Sequence, residues 1–274
     1  NKLLNIINKI NKLNFSKNLI YSGGCALNSL ANKKILESNM FKKIFIPYAP
    51  GDGGGSIGSA LVVLNKKYNY KIFKNLSSPY IGPNYSNDEI INYIVNHKSL
   101  KKYNLKKYSN NNYLFTEIAK LIYKNKIIGY FNGRMEFGAR ALGNRSILAN
   151  ARDKNINKWL NKRLSRTEFM PFAPVTPIQY AKSCYFNWEE SQIASKFMTI
   201  TYNCRQKFIK NHPAVVHIDG TARPQISSKS DNQSWRLANI IYPLCEMYER
   251  CSGYEYIDDK SKIKSKLNLN NVMF

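Results

Sequence analysis

The stretch GYFNGRMEFGARALGNRSILANARD, residues 129–153, gathers Arg134, Arg140, Arg145 and Arg152 among glycines and small residues, with Glu136 and Asp153 as its only counter-charges. A guanidinium stays charged at any biological pH and offers a rigid fork of donors that matches phosphate or carboxylate oxygens. Several together, with Gly133, Gly138 and Gly143 permitting sharp turns, describe a cradle for an anion. Asn144 and Ser146 add neutral donors. Solvated surface arginine is the competing reading, but the small and apolar residues of FGARALGNRS imply partial burial.

Two glycine-rich turns lie earlier in the chain. In LIYSGGCALNSLANKKI a short apolar run meets Gly23 and Gly24 and then a helix, so backbone N–H groups point out where a helix dipole is positive and phosphate oxygens can sit. The spacing matches neither the P-loop nor the dinucleotide fingerprint, and a plain tight turn explains the pair equally well. In IPYAPGDGGGSIGSAL, Gly51, Gly53, Gly54, Gly55 and Gly58 surround one acid, Asp52, which could bind a metal ion, orient a hydroxyl or simply form the turn. Two such turns in one α/β segment favour a shared ligand cleft.

Farther on, LSRTEFMPFAPVTP supplies Arg166, and VVHIDGTARPQIS places His217, Asp219, Thr221, Arg223 and Gln225 after an apolar run. The chain has 3 histidines, too few for a histidine-rich metal site. His217 reads either as a hydrogen-bonded structural residue or as a catalytic one.

The elements that must position these residues fall into two segments. Up to about residue 82 the periodicity alternates: helix 2–13, strand near 19–22, helix 26–37, strand near 43–47 and helix 56–66, the rhythm of an α/β layer. NLSSPYIGPNYSNDEI then reads as a linker, inside which Ser86 and Glu89 have capping-box spacing for a helix starting near Asn87. Beyond it come helix 112–124, the strand KIIGYF and a helix from Asn155 to Leu164. Extended stretches near 172–176, 197–202 and 214–218, a helix near 234–250 and a polar tail complete a mixed α+β pattern.

Bulk properties bound the function. With 274 residues and 43% hydrophobic content the chain suits two folded domains, 1–82 and 83–274. The net charge of +25 would favour nucleic acid, but the lysines are scattered among Asn, Ile and Tyr, as in a composition bias. The 5 cysteines form no C-x-x-C pair, so a reducing cytoplasm is expected. No apolar run reaches the roughly 20 residues that cross a bilayer. The basic amphipathic start, NKLLNIINKINKLNF, reads as a core-covering helix rather than a membrane-surface one, and no membrane partner is expected.

Taken together, SGGCALN, PGDGGGSIGSAL, GRMEFGARALGNRSIL, RTEFMPFAPV and HIDGTARPQ resemble, in order, the motifs of the NodU-type O-carbamoyltransferases, across roughly residues 19 to 226. The resemblance implies a partial actin-like ATPase subdomain over 1–82, followed by a YrdC-like α+β domain over 83–274 that is incomplete after about 227. It implies that ATP, with Mg2+, and carbamoyl phosphate give carbamoyl-adenylate, and that the carbamoyl group then passes to a hydroxyl of a small molecule such as a sugar or natural product. Carried over residue by residue, it gives Arg140, Arg145, Arg166 and Arg223 the catalytic charges, helped by Ser146. Gly23, Gly24, Asn28, Gly53, Gly54, Arg134, Asn144, His217 and Thr221 would bind substrate or nucleotide. Asp52 would be the metal ligand.

Departures from the family pattern sharpen that expectation. The family's H-x-x-x-H metal pair, which would hold Fe2+ at the transfer site, is absent from this sequence, as is its later NTSFN segment. Leu164 and Ser165 stand where the family commonly has a lysine. The expectation is an incomplete enzyme: a fragment, half of a split enzyme completed by a separate N-terminal polypeptide, or a remnant. The alternatives from other classes are RNA binding or tRNA modification, for which no RNP-type segment is present, and an inactive complementing subunit.

Overall fold

The structure, a computed structural model, describes residues 2–69, 78–100, 102–108, 110–163, 165, 172–189, 192–228 and 271–273. Helix α1 (Lys2–Lys12) leads to strand β1 (Asn18–Ile20), a 3-10 turn (Gly24–Leu27), helix α2 (Ser29–Glu37), strand β2 (Lys43–Phe45) and helix α3 (Asp52–Tyr68). Strands β1 and β2 pair in parallel, Leu19 opposite Ile44. Helix α2 starts three residues later than its sequence pattern predicts. Asn28 makes the difference, because its side-chain oxygen accepts from the Ala31 amide and fixes the helix start there. Helix α3 starts earlier than predicted, at Asp52 behind the extended Gly51. First-turn amides need no intrahelical partner, and an acid there complements the dipole, so the glycines do not prevent the start.

Helix α4 (Asn87–Asn96) begins with the predicted capping box: Ser86 Oγ accepts from the Glu89 amide at 3.2 Å, and Glu89 Oε2 accepts from the Ser86 amide at 2.7 Å. Strand β3 (Asn104–Lys106) precedes helix α5 (Asn111–Tyr123), whose buried Leu114, Phe115, Ile118, Ala119 and Ile122 recur at helical spacing. Strands β4 (Ile128–Phe131) and β5 (Arg145–Leu148) pair antiparallel, with Tyr130 opposite Ser146, so the arginine-rich segment is the loop of a long hairpin. Helix α6 (Asn155–Arg163), strand β6 (Val175–Pro177) and helices α7 (Ile178–Cys184) and α8 (Gln192–Ser195) follow. Then come β7 (Tyr202–Asn203), α9 (Gln206–Asn211), β8 (Thr221–Ala222), β9 (Gln225–Ser227) and β10 (Asn271–Met273).

Among the described residues every sheet has two strands, giving a mixed α/β architecture of small sheets and helices. The stretch near 214–218, predicted as extended, instead begins inside a 3-10 turn (Pro213–Val215), in which proline's fixed φ suits a helical first position. The predicted helix near 234–250 lies outside the described residues.

The largest core ties distant parts of the chain together. Ile7, Ile35, Leu36, Ile44 and Ile46 pack with Tyr185, Trp188, Ile200, Tyr202, Phe208 and Ile226. Buried Asn32 adds a polar bridge, donating to Ala26 O at 2.7 Å and Thr199 O at 2.8 Å. Thr201 reaches the same region through Ser29 O. A second core sits between α5 and the β4–β5 hairpin, where Leu114, Phe115, Ile118 and Ile122 meet Tyr130 and Leu148.

Candidate functional site

The Gly23–Gly24 turn, the Gly51–Gly54 run and the arginine loop meet at one place. Gly23 has φ +101°, and its amide donates to Pro50 O at 2.7 Å, while Ser22 Oγ donates to the same carbonyl at 2.9 Å. The two glycine turns are thereby stitched to each other. From the arginine loop, Arg140 Nη2 donates to Leu27 O at 3.2 Å, at the end of the 3-10 turn that follows Gly23. Gly138, at φ +121°, lies so close to the backbone before Asp52 that a Cβ there would come within 2.7 Å of Tyr48 O. Phe137 covers Gly53 from the same side. The floor beneath is apolar, formed by Tyr48, Ala49, Leu142, Ala173, Phe197 and Met198.

Glu136 shapes the loop. Its carboxylate, 7% exposed, accepts from the amides of Leu142 at 2.7 Å, Asn144 at 2.6 Å and Arg145 at 3.2 Å through one oxygen. Three backbone donors around one anion fix the path of residues 136–145. Leu142 O is held in turn by Tyr80 Oη at 2.6 Å and Gln225 Nε2 at 3.0 Å. In the sequence Glu136 reads only as a counter-charge; that its partners are amides depends on the loop's backbone turning back on itself, which residue types do not reveal.

Arg145 faces the other side of the hairpin. Nη1 donates to Asn132 O at 2.7 Å and Asn144 O at 2.9 Å, and Nη2 to Gly133 O at 3.0 Å and Pro83 O at 3.5 Å. Its guanidinium lies 3.6 Å from the Phe131 ring centroid. Burial lowers its pKa, with Glu136 and Tyr85 opposing the shift. Arg134 does similar work, donating to Ile81 O at 2.9 Å and Gly82 O at 3.2 Å. Asn144 Nδ2 donates to Arg134 O, and Ser146 Oγ accepts from the Gly143 amide. Arg134 and Arg145 thus brace the hairpin against residues 81–83, while Asn144 and Ser146 tie the hairpin to itself.

A third group lies between β7 and β9. Thr221 Oγ1 donates to Asp219 Oδ1 at 2.7 Å, so its contact with His217 Nδ1 at 2.9 Å is one in which the ring nitrogen donates. That sets the tautomer and leaves Nε2 as the acceptor. Burial pushes the His217 pKa down, with Asp219 opposing and Arg223 adding to the fall. Asp219 lies below the ordinary carboxylate range: burial would raise it, but Thr221, His217 and Lys33 outweigh that.

The predicted site residues therefore fall into three groups. Gly23, Gly24, Asn28, Asp52, Gly53, Gly54 and Arg140 come together; Arg134, Asn144, Arg145 and Ser146 gather on the hairpin; His217, Thr221 and Arg223 stand beside Asp219. Arg166 lies outside the described residues. Asp52 is exposed at the start of α3, and among the described residues no group of three His, Cys, Asp or Glu side chains could hold a metal ion. The donor set around Asp52 does not fit a closed metal site.

This mixed α/β chain sets two glycine turns against an arginine loop, and comparison with known proteins gives the family. Residues 119–256 match the carbamoyltransferase C-terminus and residues 2–61 the carbamoyltransferase N-terminus, and the chain belongs to the carbamoyltransferase family. It is 34% identical over 251 residues to an uncharacterized protein of Methanocaldococcus jannaschii, covering 89% of this chain and 38% of that relative. Nodulation protein NolNO of Sinorhizobium fredii is 31% identical over 231 residues, 82% of this chain and 33% of its own length. Nodulation protein U of the same organism is 27% identical over 239 residues, 87% and 38% respectively. The chain spans between a third and two fifths of the length of these relatives.

Proposed function

We propose that the chain carries the adenylate-forming part of a NodU-type O-carbamoyltransferase, together with a portion of its transfer domain. ATP, with Mg2+, and carbamoyl phosphate are the substrates, and the final acceptor is a hydroxyl of a small molecule. Carbamoyl phosphate loses its phosphate to water as carbamate; a carbamate oxygen attacks the α-phosphorus of ATP, and pyrophosphate leaves. Two polyanions meet in that step, so fixed cations must offset their repulsion. Arg140 and Arg223, with Arg166, take the phosphoryl oxygens. Arg145, whose terminal nitrogens already serve four carbonyls, keeps the loop in shape. The Gly23–Gly24 turn presents backbone amides to the nucleotide, and no step is assigned to a metal at Asp52. Residues 1–82 and 83–274 are assigned to the transfer and adenylate-forming portions.

The observation that carries this reading is the hydrogen bond from Arg140 to Leu27 O, which sets the arginine loop directly on the Gly-Gly turn 113 residues earlier. Carbamoyl-phosphate-dependent exchange of labelled pyrophosphate into ATP tests it. Wild-type chain should support exchange, and Arg140→Ala should lower it by roughly 100-fold, the usual scale for loss of a charge-stabilising donor. Exchange that proceeds undiminished in the variant removes Arg140 from the site.

A further inference from the structure

The turn that carries His217 holds the imidazole in one tautomer. Residues 217–221 fold back on themselves: the His217 amide donates to Thr221 O at 2.7 Å, the Gly220 amide donates to His217 O at 2.9 Å, and Gly220 takes φ +77°. Asp219 Oδ1 accepts from both the amide and the hydroxyl of Thr221, at 3.0 and 2.7 Å. A hydroxyl has a single proton, and here it goes to Asp219, so the Thr221 oxygen accepts from His217 Nδ1. Nε2 keeps a lone pair and has no hydrogen-bond partner among the described residues. The charged groups facing the ring are Asp219 and Arg223, and Lys33 of α2 faces Asp219. With its pKa below the ordinary value, the ring is a neutral acceptor at pH 7.

This turn is fastened to the other two groups of site residues. Gln225, two residues past Arg223, donates to Leu142 O, which lies between Arg140 and Arg145 in the arginine loop. On the other side, Lys33 stands five residues along α2 from Asn28, about 7.5 Å of helix from the end of the Gly-Gly turn. Glu37, paired with Lys33 at 3.4 Å, accepts from Asn203 of β7, the residue opposite Thr221.

We propose that His217 Nε2 accepts a hydrogen bond from the amino group of the carbamoyl moiety and so makes the site choose carbamoyl phosphate over other acyl phosphates. This rests on the adenylate-forming reading and deepens it by naming what recognises the substrate's nitrogen. Guanidinium and amide N–H groups read only oxygens, and an acetyl group presents the same oxygens. An amino group differs from a methyl group of similar size by its N–H donors, so telling them apart needs an acceptor. A carboxylate acceptor would repel the phosphoryl oxygens, whereas a neutral imidazole does not. A methyl group opposite Nε2 would leave that lone pair without a donor. Thr221 is a positioning residue, since its hydroxyl fixes the tautomer. The adenine amino group offers the same chemistry. The carbamoyl nitrogen is the better match because Arg223, beside the ring, is assigned to phosphoryl oxygens, and the carbamoyl group is bonded directly to a phosphoryl group while adenine is set apart by the ribose.

Dissociation constants for carbamoyl phosphate and acetyl phosphate, measured by calorimetry on the full chain, give the test. The wild-type chain should favour carbamoyl phosphate by roughly 10-fold, the scale of one neutral hydrogen bond, and His217→Leu should bring the two ligands level. Thr221→Val should narrow the preference and Thr221→Ser should keep it. A merely structural role would weaken both ligands alike and leave their ratio unmoved. Absence of any preference in the wild-type chain overturns the proposal, and so does a preference that survives His217→Leu. A loss confined to discrimination between ATP and inosine triphosphate also overturns it, because the acceptor would then belong to adenine. Pyrophosphate exchange runs in parallel. A wild-type chain without exchange, whose ligand preference still depends on His217, would sink the adenylate chemistry and leave the recognition standing; Arg140-dependent exchange with a preference indifferent to His217 would do the reverse.

Discussion

Helices α5 and α3 stand at opposite ends of one scale. The 13 residues of α5 bury five side chains against the β4–β5 hairpin, while the 17 residues of α3 bury none. Hydrophobic content does not separate them; pattern does. Helix α5 alternates an apolar stripe with Asn112, Thr116, Glu117 and Lys120, so one neighbour satisfies it. Helix α3 is apolar on every side and would need neighbours on every side. A stretch of sequence can thus specify a helix completely and still leave its environment to residues elsewhere.

The sharpest way to break this comparison is to cut back one side chain in each helix. Phe115→Ala in α5 removes a ring that is 2% exposed and should cost about 3–5 kcal/mol. Val63→Ala in α3 should stay within about 0.5 kcal/mol for the chain alone. Urea unfolding midpoints at constant slope read both. Equal losses would mean that α3 is packed after all.

Acid separates the two cores next. His212 is 5% exposed and packs against Phe208, the rings tilted and 4.6 Å apart between centroids, at the edge of the core shared with α1 and α2. Burial pushes its pKa down to about 4, against a bond to the Phe208 backbone and helped by Arg152. The unfolded chain takes up this proton near pH 6.5, so between 6.5 and about 4 the unfolded state binds more protons. The stabilisation is fully present above 6.5 and is lost as pH falls through that window, by about 3 kcal/mol. Among the described residues no histidine belongs to the α5 core. Hydrogen exchange at pH 4.5 should therefore release α2 and α9 before α5. His212→Gln should flatten that pH dependence, and an unaltered acid profile would assign it to other groups.

Much of this was legible in residue types, where the rule is local. The capping box at Ser86 and Glu89, the stripe of α5 and the turn at Gly23 and Gly24 follow from residues a few positions apart. The same held for the carbamoyltransferase motifs. What stayed hidden depends on chain reversal. Arginine donors suit carbonyl oxygens as well as phosphate, so the sequence of the loop did not reveal that Arg134 and Arg145 would serve residues 81–83. Asn32 looks like any helical asparagine until the fold brings Thr199, 167 positions away, against it. The 3-10 turn Pro213–Val215 runs into the stretch 214–218, whose apolar residues resemble a strand.

Two glycines carry opposite meanings. Gly138 has φ +121°, where an L side chain is strained, and a Cβ would come within 2.7 Å of Tyr48 O, a backbone atom that cannot swing aside. Gly138→Ala should destabilise by about 2 kcal/mol and loosen the contact between the arginine loop and the turn before Asp52. Gly58 lies inside α3, where a methyl group placed on its Cα would meet nothing within 4 Å, so Gly58→Ala should stabilise the chain alone by about 0.5–1 kcal/mol through helix propensity. Thermal melts of both variants decide it.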